Sequence, residues 1–162
     1  MPTVADHLKK RGLSFEQVPH EQAYTTIDEA KALGIAADEV VKTVVLKTAS
    51  GHALAVVLGA RRLNMKLVRR ALGDNHARLA TEEDLEREFP GYELGALPPL
   101  GSLLGIPVYV DPEVLGHETV VFAAGSQTES VKMRTEDLFR EEQVNIVPLT
   151  GQAEEDEEPP AG

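Results

Sequence analysis

The sequence predicts an α+β fold, a single domain in which a mixed, curved, barrel-like β-sheet is surrounded by helices. Three observations carry this reading. Two apolar, β-branched runs, residues 40–48 and 53–58, are separated only by a short turn containing Gly51, the pattern of a β-hairpin. Further strand-like runs outnumber what an alternating βαβ chain would supply, and several follow one another directly. The helical stretches between them are short and carry their own start and stop residues.

Taken in order, residues 4–11 read as a short helix and 15–18 as a strand. Thr26 and Glu29 fit a capping box, which predicts a helix through 30–33 that Gly34 stops. The hairpin follows, turning at 49–51. Asn64 is placed to cap a helix through Leu72 that Gly73 ends, with Leu63, Leu67 and Ala71 as its buried stripe. Thr81 caps a further helix to about Glu88, closed by Phe89 and Pro90. Segment 90–105, rich in Gly and Pro, reads as a loop. Strands are predicted at 107–110, 119–123 and 129–134, a short helix from Thr135, and a last strand at 144–148.

Of 162 residues, 1–149 read as the domain and 150–162 as a disordered acidic tail, because Glu154, Glu155, Asp156, Glu157 and Glu158 come with no large apolar side chain to bury. The formal net charge is −11, and removing those five acids leaves about −6 on the body. So acidic a surface repels phosphate, which excludes a general nucleic-acid binder; a nucleic-acid partner must be met by a local basic patch. DNA and membranes are not expected partners. The apolar runs fall far short of the roughly 18 residues of a membrane helix, and 1–12 lack the apolar stretch of a signal peptide, so a cytoplasmic location is expected. Cysteine is absent, which removes disulfides, thiolate nucleophiles and Cys-ligated metals together. The histidines are scattered without helical pairing, so no metal site is expected.

Four features stand out as sites of chemistry. Lys42 opens a strand that looks buried on both faces, so its ammonium must reach water or end in a lined cavity. The segment 91–101, with Gly95, Pro98, Pro99 and Gly101, can bring stiff backbone close to a ligand and offer N–H groups to an oxyanion. Ala124, Gly125 and Ser126 end a strand with a tight bend and a hydroxyl; without an adjacent base, Ser126 reads as pocket wall or turn. Arg61, Arg62, Lys66, Arg69 and Arg70 supply the local basic patch that the acidic total demands.

These features occur in an order that resembles the YbaK/prolyl-tRNA-synthetase-associated domain family, the free-standing aminoacyl-tRNA editing proteins related to the insertion domain of bacterial prolyl-tRNA synthetase. The resemblance rests on His20 with Tyr24-Thr25-Thr26, Glu39-Val40-Val41-Lys42-Thr43-Val44, Arg62-Leu63 with Lys66-Leu67, and Arg78-Leu79-Ala80-Thr81. It continues through Gly95-Ala96-Leu97-Pro98-Pro99-Leu100-Gly101, Val108-Tyr109-Val110-Asp111 and Ala124-Gly125-Ser126. It implies a deacylase that hydrolyses the ester of a mischarged tRNA, a small amino acid on tRNA-Pro or a related tRNA, without a cofactor. Lys42 is the catalytic residue it implies, as a cation or as a neutral base. His20, Tyr24, Thr43, Gly95, Pro99, Gly101, Gly125 and Ser126 are implied in substrate binding. Arg61, Arg62, Lys66 and Arg69 would contact tRNA weakly, and an aminoacyl-tRNA synthetase or elongation factor would be a further partner. The alternative is a non-catalytic module that binds a small ligand or a protein in the same pocket.

Overall fold

The hairpin at the centre of the chain is covered on both faces, and the rest of the fold is arranged around it. A computed structural model describes residues 3–140 and 142–151. Strand β2 (Val41–Thr48) and strand β3 (Gly51–Leu58) pair antiparallel over their whole length, with Lys42 opposite Val57 and Thr43 opposite Val56. Along β3 the side chains alternate between two cores, which explains why this strand reads as an unbroken apolar run. Leu54, Val56 and Leu58 face the main core with Leu100, Phe122 and Leu138; Ala55 and Val57 face a second one with Val68 and Leu149.

Two sheets form where one curved sheet was expected, and no closed barrel is found among the described residues. The larger sheet runs β4-β2-β3-β5-β8, where β4 is Arg78–Leu79, β5 is Val108–Val110 and β8 is Val144–Ile146. Strands β3, β5 and β8 are parallel neighbours. The smaller sheet runs β1-β7-β6, where β1 is Glu16–Pro19, β6 is Thr119–Ser126 and β7 is Glu129–Arg134. A single parallel bridge, Val40 to Val121, joins the two. The barrel expectation followed the number of consecutive strands; the register break between Ala123 and Ser126 and the short edge strands leave the ring open.

Helices α1 (Val4–Lys10), α2 (Thr26–Leu33), α3 (Met65–Leu72), α4 (Glu82–Glu88), α5 (Gly101–Leu104) and α6 (Thr135–Arg140) complete the domain. Three differ from the sequence reading. Helix α2 is capped by Thr25, whose hydroxyl accepts from Asp28 N–H at 3.1 Å, so Thr26 is released to face Gly59 and Glu29 is not a capping residue. Helix α3 buries Val68, flanked by Met65, Ala71 and Leu72, in place of a stripe centred on Leu67. Helix α5 lies inside the predicted loop; one turn that starts on glycine carries no periodic signal.

Asp111 fastens the chain end to the body. Its buried carboxylate accepts from Glu113 N–H (2.9 Å), Leu149 N–H (2.8 Å), Thr150 N–H (3.0 Å) and the Thr150 hydroxyl (3.1 Å). Thr150, the first residue assigned to the tail, is therefore held against the domain, and the rest of the expected tail, 152–162, lies outside the described residues. Replacing Asp111 with Ala leaves the buried Leu149 N–H without an acceptor. The expected cost is about 3 kcal/mol in chemical denaturation, with Asn recovering part of it.

Candidate functional site

Strand β2 enters the seam between the two sheets with a lysine and a threonine in succession, and a cavity of about 430 Å³ opens there. Lys42, Thr43, Tyr24, Glu29 and Gly95 all contribute to its wall. The Lys42 ammonium is half-buried and donates to the Arg61 carbonyl at 2.9 Å. Burial first, and the Arg62 guanidinium second, push its pKa below the ordinary lysine value. The Thr43 hydroxyl is fully buried and has no hydrogen-bond partner among the described residues.

The Gly-Pro loop is pressed onto the site by backbone contact. Gly95 has φ +77°, and a Cβ there would lie 2.3 Å from the Tyr24 carbonyl oxygen, so only glycine fits both the conformation and the approach. The loop is tied to the β6–β7 turn: Glu93 N–H donates to the Gly125 carbonyl (3.0 Å), Gly125 N–H to the Ala96 carbonyl (2.8 Å), and the Gln127 amide to the Leu94 carbonyl (2.9 Å). Gly125, with φ +93°, leaves room for the Tyr92 ring. Thus Gly125 acts on the cavity through the loop it holds. Ser126 turns away to bond Thr128 at 2.9 Å. Pro99 is buried, and Gly101 packs α5 against β5, where a Cβ would meet Val108 Cγ2 at 2.4 Å. Neither residue is on the cavity wall.

His20 does not line the cavity either. Its Nδ1 faces the Glu21 carbonyl at 2.7 Å and its Nε2 faces the Ser130 hydroxyl at 2.8 Å. Ser130 in turn donates to Glu29, a carboxyl only 4% exposed whose pKa burial pushes up. Glu29 is the wall residue that sequence reasoning missed. The capping-box reading gave it a surface task, although it sits four residues before Leu33 on the apolar side of α2, where a carboxylate is out of place.

The basic patch is only partly available. Arg61 is engaged by Glu113 (3.1 Å) and Asp38 (3.6 Å), and Arg69 donates to the Ala77 carbonyl at 2.9 Å. Arg62 and Lys66 are exposed at the cavity's flank and the start of α3. Exposed Tyr24, Ile27 and Leu79 form an apolar rim around the opening. A second cleft of about 470 Å³ lies at the hairpin turn, but its carboxylate, Asp74, is already occupied by Ala49 N–H and His76 N–H. No group of side chains among the described residues is placed to hold a metal ion, and no helix is long and apolar enough to cross a membrane.

Residues 20–141 match the model of the aminoacyl-tRNA editing domain. The chain belongs to that family. Curated relatives of the editing domain include the proline–tRNA ligase of Fervidobacterium nodosum, 32% identical over 73% of this chain and 20% of the ligase. The chain thus spans about a fifth of the length of the ligases it matches. An Enterococcus faecalis protein, EbsC, described by name as a Cys-tRNA(Pro)/Cys-tRNA(Cys) deacylase, is 27% identical over 68% of this chain and 67% of its own. Among solved structures, one described as a trans-editing enzyme for prolyl tRNA synthetase superposes with TM-score 0.75 at 27% identity, covering 88% of this chain and 91% of that one. The hypothetical protein APE2540 shares the fold with TM-score 0.82 at 23% identity, over 91% of this chain and 98% of that one.

The glycine geometry is open to a direct comparison. Gly95→Ala combines an unfavourable φ with a backbone clash and should cost about 3 kcal/mol or more, whereas Gly34→Ala, at φ +69° in open space, should cost only about 1 kcal/mol. Thermal melts of the two variants give the difference.

Proposed function

We propose that the chain is a trans-acting aminoacyl-tRNA deacylase, which hydrolyses the ester joining a mischarged small amino acid to the 3′ end of tRNA-Pro or a related tRNA. The observation that carries this is the half-buried Lys42 ammonium in the cavity wall, held in place by the Arg61 carbonyl. An ammonium has three protons. One is spent on the Arg61 carbonyl, and the others can hold the ester's carbonyl oxygen as negative charge builds on it during attack by water. The neighbouring carbonyl favours the charged form, so Lys42 serves as a cation rather than as the base. A cavity of about 430 Å³ takes an aminoacyl ribose, with Tyr24, Ile27 and Leu79 meeting the apolar face of the terminal base. Family membership and the names carried by EbsC and by the solved trans-editing relative support the same chemistry.

Lys42→Ala should abolish release of amino acid from mischarged tRNA while the fold, followed by circular dichroism, stays intact. In the wild type the rate should fall as pH rises through the lowered Lys42 pKa, below the range where an ordinary lysine titrates, because the ammonium is the working form. A screen of tRNA–amino-acid pairs by deacylation checks both; no turnover together with saturable small-ligand binding would make the cavity a binding module. The tRNA contact is expected at Arg62 and Lys66. Reversing both charges should weaken tRNA binding and reduce its salt slope by about 2.

A further inference from the structure

Three elements meet behind the cavity to form a hydrogen-bonded line of titratable groups that the mechanism above does not use. His20 follows β1 directly and is held by its N–H to the Thr128 carbonyl at 2.9 Å. Ser130 lies on β7 opposite Ala123, itself a cavity residue, and Glu29 reaches the wall from α2. The order is imidazole, hydroxyl, carboxyl, running from half-buried His20 to Glu29 at 4% exposure.

Counting protons along this line restricts its states. The Glu21 carbonyl can only accept, which assigns a proton to His20 Nδ1. The Ser130 hydroxyl has one proton and two neighbours, His20 Nε2 and Glu29 Oε2. If neither neighbour carried a proton of its own, one contact would set two lone pairs against each other. The line is hydrogen-bonded throughout only when it holds at least one more proton, on Glu29 or on His20 Nε2, and transfer of two protons through the Ser130 hydroxyl oxygen exchanges the two placements.

We propose that His20, Ser130 and Glu29 form a proton relay from the surface into the cavity, with Glu29 as the acid that protonates the departing ribose oxygen. This rests on the deacylase reading and adds to it the proton that the leaving alkoxide needs. Water adds to the ester carbonyl carbon, the bond from that carbon to the ribose oxygen breaks, and the Glu29 proton passes to that oxygen. Both protons of the attacking water leave to solvent as the amino acid's carboxylate forms. One proton returns through His20 and Ser130 to Glu29, so the protein ends as it began and each turnover releases one proton. Burial raises the Glu29 pKa and keeps the acid loaded at higher pH than an ordinary glutamate. Other charged groups on the surrounding elements are directed elsewhere. Asp38 pairs with Arg61, Glu129 accepts from Gln17, and Lys42 donates to the Arg61 carbonyl. Glu39 and Lys132 line a separate cleft.

Single-turnover deacylation against pH tests the proposal, together with the carbon NMR signal of the Glu29 carboxyl. Glu29→Gln keeps the shape and removes the proton; it should lower the rate about 100-fold and erase the decline that the wild type shows as Glu29 ionises. Ser130→Ala breaks the line but leaves the acid, and should slow turnover while moving the Glu29 titration still higher, because the Ser130 hydrogen bond that favours the carboxylate is gone. A Glu29→Gln rate within two-fold of wild type with an unchanged pH profile, or a Glu29 titration indifferent to Ser130→Ala, would overturn the relay. A wild type inert on every aminoacyl-tRNA would remove the deacylase reading and the acid role together, while the NMR titration would still decide whether the three groups are coupled.

Discussion

The structure depends on one constraint: the β2–β3 hairpin is covered on both faces, so a polar side chain placed on it has no route to water through the sheet. Every such group must be paired or open into a cavity. Lys47 and Thr48 meet this demand at the hairpin's turn end, where the chain emerges. Lys42 and Thr43 are at the opposite end, beside the seam where Val40 bridges to Val121 of the other sheet. The cavity opens beside that bridge, with residues of β2 and Ala123 of β6 in its wall. Had the strands closed into a barrel, the same two residues would have been an uncompensated cation and hydroxyl in a sealed core.

The far wall is made by backbone rather than by side chains. Tyr24 and Gly95 approach so closely that a Cβ is excluded, and the hydrogen bonds from the 93–96 segment to Gly125 fix the loop from behind. A wall of this kind is stiff, and its shape is not altered by rotamer changes. It ties the chain's first third, its central loop and the β6–β7 turn into one site, and explains why residues distant in sequence are needed together. Some of them, Gly125 among these, act only through the loop.

Much of the element order was legible in the sequence because it depends on local signals. Gly34 and Gly73 end their helices in left-handed conformations, Thr81 caps α4, and the alternation over 41–48 places Lys42 and Thr43 on opposite faces. What was not legible depends on contacts between segments. The cap of α2 moved from Thr26 to Thr25 because Thr26 lies against Gly59, a residue 33 positions away. Arg61 looked like a free cation until the fold placed Asp38 and Glu113 beside it. His20 and Ser130 are 110 residues apart, and nothing local to either marks the other as its partner. The division into two sheets depends on one register break that no periodicity announces.

Electrostatically, the cavity joins a cation whose proton is made easier to lose to an acid whose proton is made harder to lose. Both shifts have burial as their largest cause, and both reduce net charge in the cavity. Under the deacylase reading, the wall then presents less fixed charge to the ionised product. A strongly charged wall would hold the ionised product as firmly as it holds the developing oxyanion, and uniform binding of that sort does not accelerate a reaction. The acidity of the whole chain acts in the same direction. With a formal net charge of −11, the chain repels a polyanionic substrate over its surface as a whole, so approach depends on local cations. Under the deacylase reading, exposed Arg62 at the cavity's flank marks the direction from which the substrate's end enters.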